Sequence, residues 1–175
     1  MALPDYLRVQ SGTTKTWRAS GGDAAMSPSS TLTNGLSWGS VKVDLGATRA
    51  EFYDVFLDME FQTAPTAGNT VDVFWAPSTS ITAGTDNPGG FAGTDALYAG
   101  YSSNADASNP QLQFIGSHVC TTQATGTVQK SYVGRFSPAQ RYGGPMIRNG
   151  SGVTAATTNT TFQIRLVPVE GVIEE

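Results

Sequence analysis

The chain has 175 residues, of which 39% are hydrophobic and 14% are charged. Its 10 Lys and Arg against 14 Asp and Glu give a formal net charge of −4 at pH 7. This balance offers no basic patch for nucleic acid or for an anionic membrane, so neither is expected as a partner. The single cysteine excludes an intrachain disulfide. No apolar run approaches the roughly 18 residues of a membrane span, and the first residues lack a secretory signal pattern.

Residues 1–19 are predicted to form an N-terminal arm or edge strands, because their β-prone segments are short. Residues 20–34 are rich in Gly, Ser and Thr and are predicted to be a long ordered loop. Apolar and polar residues then alternate through residues 38–45, and this period of two predicts a strand. Its apolar face comprises Val41, Val43 and Leu45.

A longer alternation, residues 51–62, is the strongest strand signal in the chain. One face of this strand is apolar and comprises Tyr53, Val55, Leu57, Met59 and Phe61. The other face carries the carboxylates and comprises Phe52, Asp54, Phe56, Asp58, Glu60 and Gln62. A strand that is buried on one face needs a second layer to cover it, which indicates a sandwich.

Two neighbours of this long strand are expected. The strand at 38–45 is expected to pair with it in antiparallel fashion, because a short connection joins the two. Residues 70–77 follow a turn and place Val71, Val73 and Trp75 on one face. We therefore expect a hairpin whose two apolar sides face one core.

Four later segments show strand patterns, at residues 111–120, 127–136, 142–148 and 161–169. In the first of them, Gly116 is predicted to mark a β-bulge. The second is expected to place three larger side chains on one face, namely Val128, Tyr132 and Phe136. The last is expected to point three apolar side chains inward, namely Phe162, Ile164 and Leu166.

These eight or nine strands predict an all-β fold. We expect a two-sheet antiparallel β-sandwich, jelly-roll-like in strand count, with an extended N-terminal arm and long ordered loops. The expected units are residues 1–19 for the arm or edge strands, 20–169 for the sandwich domain and 170–175 for a C-terminal tail. Residues 78–109 form the least regular region and are a candidate contact surface.

Two groupings could in principle support catalysis. His118 and Cys120 lie two residues apart on one strand, about 6 to 7 Å, which is too far for a direct hydrogen bond. We therefore expect a core thiol beside a polar residue.

Asp54, Asp58 and Glu60 share a strand face at a spacing that glycosidase carboxylates use. We expect a solvated face or an interface with a basic partner instead, because a carboxylic acid with a raised pKa needs a dry pocket.

No metal or cofactor site is assigned, and no catalytic residue. A zinc site lacks the cluster of Cys and His ligands that it requires. Asp86, Asn87 and Asp95 lie in a Gly-rich loop and carry oxygen atoms that calcium favours, but no calcium-loop pattern surrounds them. Whether the loop at 84–101 binds a metal or a glycan stays open at this point.

Several apolar and aromatic side chains lie in the short terminal segments or in the irregular region. They are the predicted partner-binding residues: Leu3, Tyr6, Leu7, Trp17, Phe91, Leu97, Tyr98, Tyr101, Val172 and Ile173. Segments of this kind either fold back onto their own sandwich or clasp a neighbouring subunit.

Four stretches carry a resemblance to known proteins: residues 12–19 (GTTKTWRA), 41–47 (VKVDLGA), 72–78 (DVFWAPS) and 136–145 (FSPAQRYGGP). Together they resemble small virion structural proteins of tailed bacteriophages, of the capsid decoration (cement) type. The resemblance implies a jelly-roll or related sandwich that serves as a building block. Such proteins commonly assemble as trimers and engage the shell through extended arms. No functional residue is transferred by position.

The expected function is therefore non-enzymatic. The chain is expected to be a virion protein, assembled in the host cytoplasm, that binds and stabilises the major capsid shell through arm and loop contacts. Its expected partners are the major capsid protein or other virion proteins, and further copies of itself, with a trimer favoured. Two alternatives are kept. A tail-tip or fibre module would bind a host-surface glycan through Trp75, Tyr98 and Tyr101, and a small β-sandwich hydrolase would use the strand carboxylates.

Overall fold

The computed structural model describes residues 12–28, 31–156 and 161–169. Within these residues the chain forms eleven strands, one short helix and two 3-10 turns. The strands are β1 (Lys15–Arg18), β2 (Ala24–Ala25), β3 (Ser37–Gly39), β4 (Val43–Asp44), β5 (Tyr53–Met59), β6 (Thr70–Ser78), β7 (Ala96–Tyr98), β8 (Gln113–Val119), β9 (Gln129–Phe136), β10 (Tyr142–Gly150) and β11 (Gln163–Pro168). The helix is α1 (Ala105–Ser108), and the 3-10 turns are Pro88–Gly90 and Asn109–Gln111.

The strands form two sheets that share one core. The five-stranded sheet has the order β2-β1-β11-β5-β9, and the six-stranded sheet has the order β7-β3-β10-β6-β8, with β4 also paired to β10. The described pairings are antiparallel except for the parallel pair of β1 with β2. The predicted all-β, two-sheet sandwich is confirmed, while the jelly-roll connectivity stays a prediction.

Alternating residues of both sheets form the main core, as the sequence pattern predicts. On β5 the inward side chains are fully or almost fully buried: Tyr53, Val55, Leu57 and Met59. The inward side chains of β6 and β11 are buried in the same cluster: Val71, Val73, Trp75, Ile164 and Leu166. The predicted period of two is therefore confirmed for these three strands.

The predicted strand at 38–45 is interrupted. It forms β3 and β4, which pair with β10 in the six-stranded sheet, so the predicted pairing with β5 is wrong. The backbone of Val41 bonds outside the ladder, because its N–H donates to Ala25 O at 3.0 Å and its O accepts from Trp17 Nε1 at 2.8 Å. These two bonds take residues 40–42 out of the strand.

The predicted hairpin of β5 with β6 is also wrong. β5 lies between β11 and β9, whereas β6 lies between β10 and β8, so the two strands belong to opposite sheets. The connection between them crosses from one sheet to the other. Their apolar faces nevertheless meet in one core, which is the part of the prediction that is confirmed.

Two β-bulges face each other where β8 and β9 close one side of the sandwich. In β8 the register shifts between Gly116 and Phe114, which confirms the bulge predicted at Gly116. In β9 the register shifts around Val133. A Cβ atom on Gly116 would lie 2.2 Å from Val133 O, so the two strands approach closely only because this residue is a glycine.

The bulge in β9 changes which side chains face the core. The alternation predicts that Val128, Tyr132 and Phe136 share one face, but the extra residue Val133 reverses the alternation. Phe136 is 5% exposed and packs in the core, whereas Tyr132 is 54% exposed on the outer face. The predicted common face of Tyr132 and Phe136 is therefore wrong.

The irregular region after β6 folds back over the outer face of the six-stranded sheet. A second apolar cluster forms there from Ala76, Phe91, Tyr98, Leu112 and Met146. The Tyr98 hydroxyl also donates a hydrogen bond to Gly89 O. The region is thus a third layer that shields one face of the sheet.

A buried ammonium group holds part of this layer. Lys42 is 4% exposed. Its Nζ lies 2.6 Å from Thr82 O, 2.8 Å from Asn87 Oδ1, 3.0 Å from Thr85 O and 3.2 Å from Ser78 Oγ. An ammonium has three N–H donors, so these four oxygen atoms saturate its hydrogen-bonding capacity.

Replacing Lys42 by Met keeps most of the apolar stem and removes the charge. The part-buried hydrogen bonds to Thr82 O, Thr85 O and Asn87 Oδ1 are then lost, although Thr85 O still accepts from Ser78 Oγ, and a polar group left unsatisfied costs about 1–3 kcal/mol. We expect the free energy of unfolding, measured in urea, to fall by about 3 kcal/mol. Lys130→Met is the matched control, because the Lys130 side chain is 69% exposed, and its effect is expected to stay below about 1 kcal/mol. Equal losses in the two variants would contradict the role given to Lys42.

Candidate functional site

The outer face of the five-stranded sheet carries a row of three cross-strand partners. Tyr132 on β9 pairs with Phe56 on β5, and Phe56 pairs with Arg165 on β11. The ring centroids of Phe56 and Tyr132 are 5.6 Å apart at an interplanar angle of 64°, and the Arg165 guanidinium lies 5.4 Å from the Phe56 ring centre. The row therefore combines an edge-to-face aromatic pair with a cation–π contact.

A charged row lies on each side of this aromatic row. On one side, Arg135 donates two hydrogen bonds to Asp54, of 2.8 and 3.1 Å. On the other side, Lys130 Nζ lies 3.7 Å from Asp58 Oδ2, which also accepts a hydrogen bond of 2.7 Å from Gln163. Opposite charges thus neutralise one another directly across neighbouring strands.

The cations on this surface are more accessible than the carboxylates. The side chains of Lys130 and Arg135 are 69% and 51% exposed, whereas those of Asp58 and Asp54 are 4% and 24% exposed. Arg165 is 39% exposed and also contacts Asp58, at 3.5 Å. An approaching ligand therefore meets positive groups around an aromatic ring. This surface is named the aromatic–cationic face, and it comprises Phe56, Lys130, Tyr132, Arg135 and Arg165.

The strand carboxylates are engaged by donors, which bears on the hydrolase alternative. Hydrogen bonds from Arg135 hold the pKa of Asp54 below its usual value. Glu60 accepts a hydrogen bond of 3.0 Å from Thr161 Oγ1. A general acid in a glycosidase needs a raised pKa and access to the substrate. Asp54 has the opposite shift, and Asp58 is 3% exposed.

A second surface lies at the opposite sheet. Among the described strands, β7 is an edge strand that pairs with β3 alone. Beside it is a shallow, mainly apolar pocket of about 200 Å³, in which Leu36 and Leu97 are 42% and 46% exposed. This surface is named the β7 patch, and it comprises the open edge of β7 with Leu36, Leu97, Ala99 and Ala105. Unpaired backbone groups beside an apolar pocket suit the addition of a strand from a partner.

The predicted partner-binding residues fall into three groups. Leu3, Tyr6, Leu7, Val172 and Ile173 lie outside the described residues. Three others pack inside the protein's own apolar clusters, at 0%, 2% and 5% exposure: Trp17, Phe91 and Tyr98. Two are exposed, at 46% and 53%: Leu97 and Tyr101. The structure therefore leaves Leu97 and Tyr101 as the accessible members among the described residues.

His118 and Cys120 are both buried, and each has a structural environment. Burial raises the pKa of the Cys120 thiol to about 11, which keeps it protonated. The His118 ring, on β8, contacts two side chains of the adjacent strand β9, with Nδ1 3.0 Å from Ser131 Oγ and Nε2 3.2 Å from Gln129 Oε1. Burial also lowers the pKa of His118, and the hydrogen bond with Gln129 partly offsets this effect.

In the Gly-rich loop, one side-chain oxygen atom each of Asp86, Asn87 and Asp95 accepts a hydrogen bond from a protein donor. Asp95 Oδ1 accepts hydrogen bonds from Ser27 N and Trp38 Nε1, both at 2.7 Å. Asn87 Oδ1 accepts from Lys42 Nζ. Within residues 12–28, 31–156 and 161–169, no group of three or more His, Cys, Asp or Glu side chains is placed to hold a metal ion.

Sequence reasoning did not identify the aromatic–cationic face as a unit. The alternation places Phe56 and Arg165 on outward faces, as observed, but it places Tyr132 inward. An interior glycine, Gly134, follows the bulged Val133 just as Gly116 follows the extra residue of β8, so it is an available signal of the same kind. A second signal is Phe56, an aromatic residue among the carboxylates of β5.

The stability of the protein should depend on the protonation of His118. Its folded pKa lies below the value of about 6.5 of an unfolded histidine, so the unfolded state binds more protons below that pH. We expect the free energy of unfolding in urea to decrease between about pH 7 and about pH 5. His118→Gln removes the titration and keeps a polar group beside Gln129 and Ser131, so its profile should be flatter over this interval. Parallel profiles for the two proteins would show that His118 does not cause the dependence.

Within the described part of the chain, no helix combines the length and the apolar character that crossing a membrane requires. Comparisons with known proteins gave no match to a family model, to a curated protein or to a solved structure. A function is therefore inferred from the fold and from the two surfaces described above.

Proposed function

We propose that this chain is a non-enzymatic virion structural protein of the capsid decoration type, which binds and stabilises the major capsid shell. The β7 patch carries this proposal. An open edge strand lies beside an apolar pocket, and the two leucines at the pocket are 42% and 46% exposed. A contact surface of this kind is stable in water when a partner covers it.

The scaffold suits a building block. Two sheets share a closed core, and the third layer is held onto the six-stranded sheet by the Lys42 ammonium and by a second apolar cluster. The β7 patch is anchored to this scaffold, because Tyr98 of β7 is buried in the second apolar cluster. Binding through a rigid surface loses little conformational entropy, which favours affinity for a given contact area.

Strand addition at β7 supplies the proposed mode of attachment. A strand of the major capsid protein, or of another virion protein, would pair with the open edge and place one apolar side chain in the pocket. A stable interface buries about 1,600 Å² in total, more than the patch itself offers, so the predicted arm residues would add contacts. Several copies of the chain, a trimer by preference, would repeat the contact over the shell and multiply its effect.

The glycan-binding alternative receives less support. Trp75 and Tyr98 are 0% and 5% exposed, which leaves Tyr101, at 53%, as the accessible member of the three aromatic residues assigned to sugar stacking. One accessible ring is a small platform for a polysaccharide. Shell binding therefore remains the proposed function.

Substitution of Leu97 tests the proposal. In Leu97→Asp, a carboxylate replaces an apolar contact in the interface, and we expect the affinity for capsids that lack this protein to fall by at least about tenfold. Ile81→Asp is the matched control, because Ile81 is 49% exposed and Leu97 is 46% exposed. Co-sedimentation measures binding, and the melting temperature of the capsids should rise when the wild-type protein is added.

Two outcomes would count against this assignment. If the wild-type protein does not sediment with such capsids but is retained on a polysaccharide column, the glycan alternative replaces shell binding. If wild type and Leu97→Asp bind the capsids equally well, the β7 patch is not the contact surface.

A further inference from the structure

We propose that the aromatic–cationic face is the docking site for residues 170–175 of a second copy of this chain. This inference goes beyond the proposed attachment to a shell, because it concerns a contact between copies and uses a different sheet from the β7 patch.

The chemistry of the face defines what it can bind. Three exposed cations, Lys130, Arg135 and Arg165, surround the Phe56–Tyr132 ring pair. The carboxylates beneath them are more buried than the cations. A matching segment therefore carries apolar side chains flanked by carboxylates, since apolar groups cover the rings and carboxylates reach the cations.

The chain itself contains such a segment directly after β11. Residues 170–175 read Glu-Gly-Val-Ile-Glu-Glu, with three carboxylates around two apolar side chains. This segment lies outside the described residues. The charges are complementary in sign, because the segment carries three carboxylates while the most exposed charged side chains of the face, Lys130 and Arg135, are cations.

The dimensions of the two partners also agree. Successive rows on one sheet face are two residues apart, about 6.6 Å, so the three rows of the face span about 13 Å. Four extended residues span about 13 Å as well. Residues 172–175 are therefore long enough to place Ile173 over the rings and Glu175, two residues further on and on the same side of an extended segment, over a flanking row.

A second copy fits better than the same copy. The N–H of Val169 donates to Phe52 O at 2.9 Å, so the chain leaves β11 in the strand direction, away from the aromatic row. A reversal needs a turn of about four residues, which would use Val172 and Ile173 themselves. These side chains then could not lie on the row at Arg165, which is four residues behind Val169. A neighbouring copy meets no such restriction.

Disulfide cross-linking between full-length chains tests this proposal. Thr16→Cys places a thiol on β1 beside the aromatic–cationic face, because Thr16 is the cross-strand partner of Arg165. Ile173→Cys places the second thiol in the segment. Cys120, the native thiol, is 1% exposed and does not interfere. We expect mixed Thr16→Cys and Ile173→Cys chains to form the heterodimer on mild oxidation.

A control position and charge changes give the cross-link its specificity. Ala83→Cys replaces an exposed residue in the layer over the other sheet, so its cross-linking to Ile173→Cys should be at background level.

Adding Glu174→Gln and Glu175→Gln to the Ile173→Cys chain removes two charges without touching the sandwich. We expect the yield of the heterodimer to fall by about tenfold. Lys130→Gln with Arg165→Gln in the Thr16→Cys chain should lower the yield to a similar extent, with unfolding in urea as the check on folding.

Three results would overturn the proposal. The first is equal cross-linking at Thr16→Cys and Ala83→Cys. The second is a yield that the glutamate substitutions leave unchanged. The third is a chain with both Thr16→Cys and Ile173→Cys that closes only within itself at every protein concentration. Because these experiments contain no capsid, their failure leaves the shell-binding result unaffected, and a failure to bind capsids leaves the cross-linking result unaffected.

Discussion

The contact between Trp17 and Trp75 joins the two sheets, and the rest of the structure depends on it. Trp17 comes from β1 and Trp75 from β6, both are 0% exposed, and their rings meet edge to face at 5.9 Å. Phe136 from β9 extends the group, 5.3 Å from the Trp75 ring. A Cβ atom on Gly143 would lie 2.5 Å from Trp75 Cζ2, so the neighbouring strand β10 leaves room for the indole only through a glycine.

This contact also determines the local structure after β3. The indole N–H of Trp17 donates to Val41 O, which removes residues 40–42 from the strand. Lys42 then extends into the irregular region and binds four oxygen atoms there. A single tryptophan on β1 thereby influences the layer that covers the opposite sheet. That layer in turn holds Tyr98 beneath the exposed Leu97 on β7.

The sequence predicts the buried faces better than the strand partners. Residues 53–59 and 163–168 show their burial directly, because alternation reports which side chains avoid water. Alternation carries no information on which strand lies beside which, so the pairing of β4 with β10 and the separation of β5 from β6 could not be predicted. The prediction from sequence missed the aromatic–cationic face for a related reason, since one bulged residue moves Tyr132 to the outer side of the sheet. The buried role of Lys42 also has no local signal, because its four oxygen partners lie 36 or more residues away.

The close packing of β8 against β9 through Gly116 limits the strand edges at which further chains can join the two sheets. These strands end the two sheets on the same side, and their mutual contact shields both of those ends. Among the described strands, β2 and β7 are then the ends at which another chain could extend a ladder. Since β2 has two residues and β7 has three, each offers a short template. Extension of the ladders therefore has few starting points, which favours discrete, countable complexes over open-ended fibres.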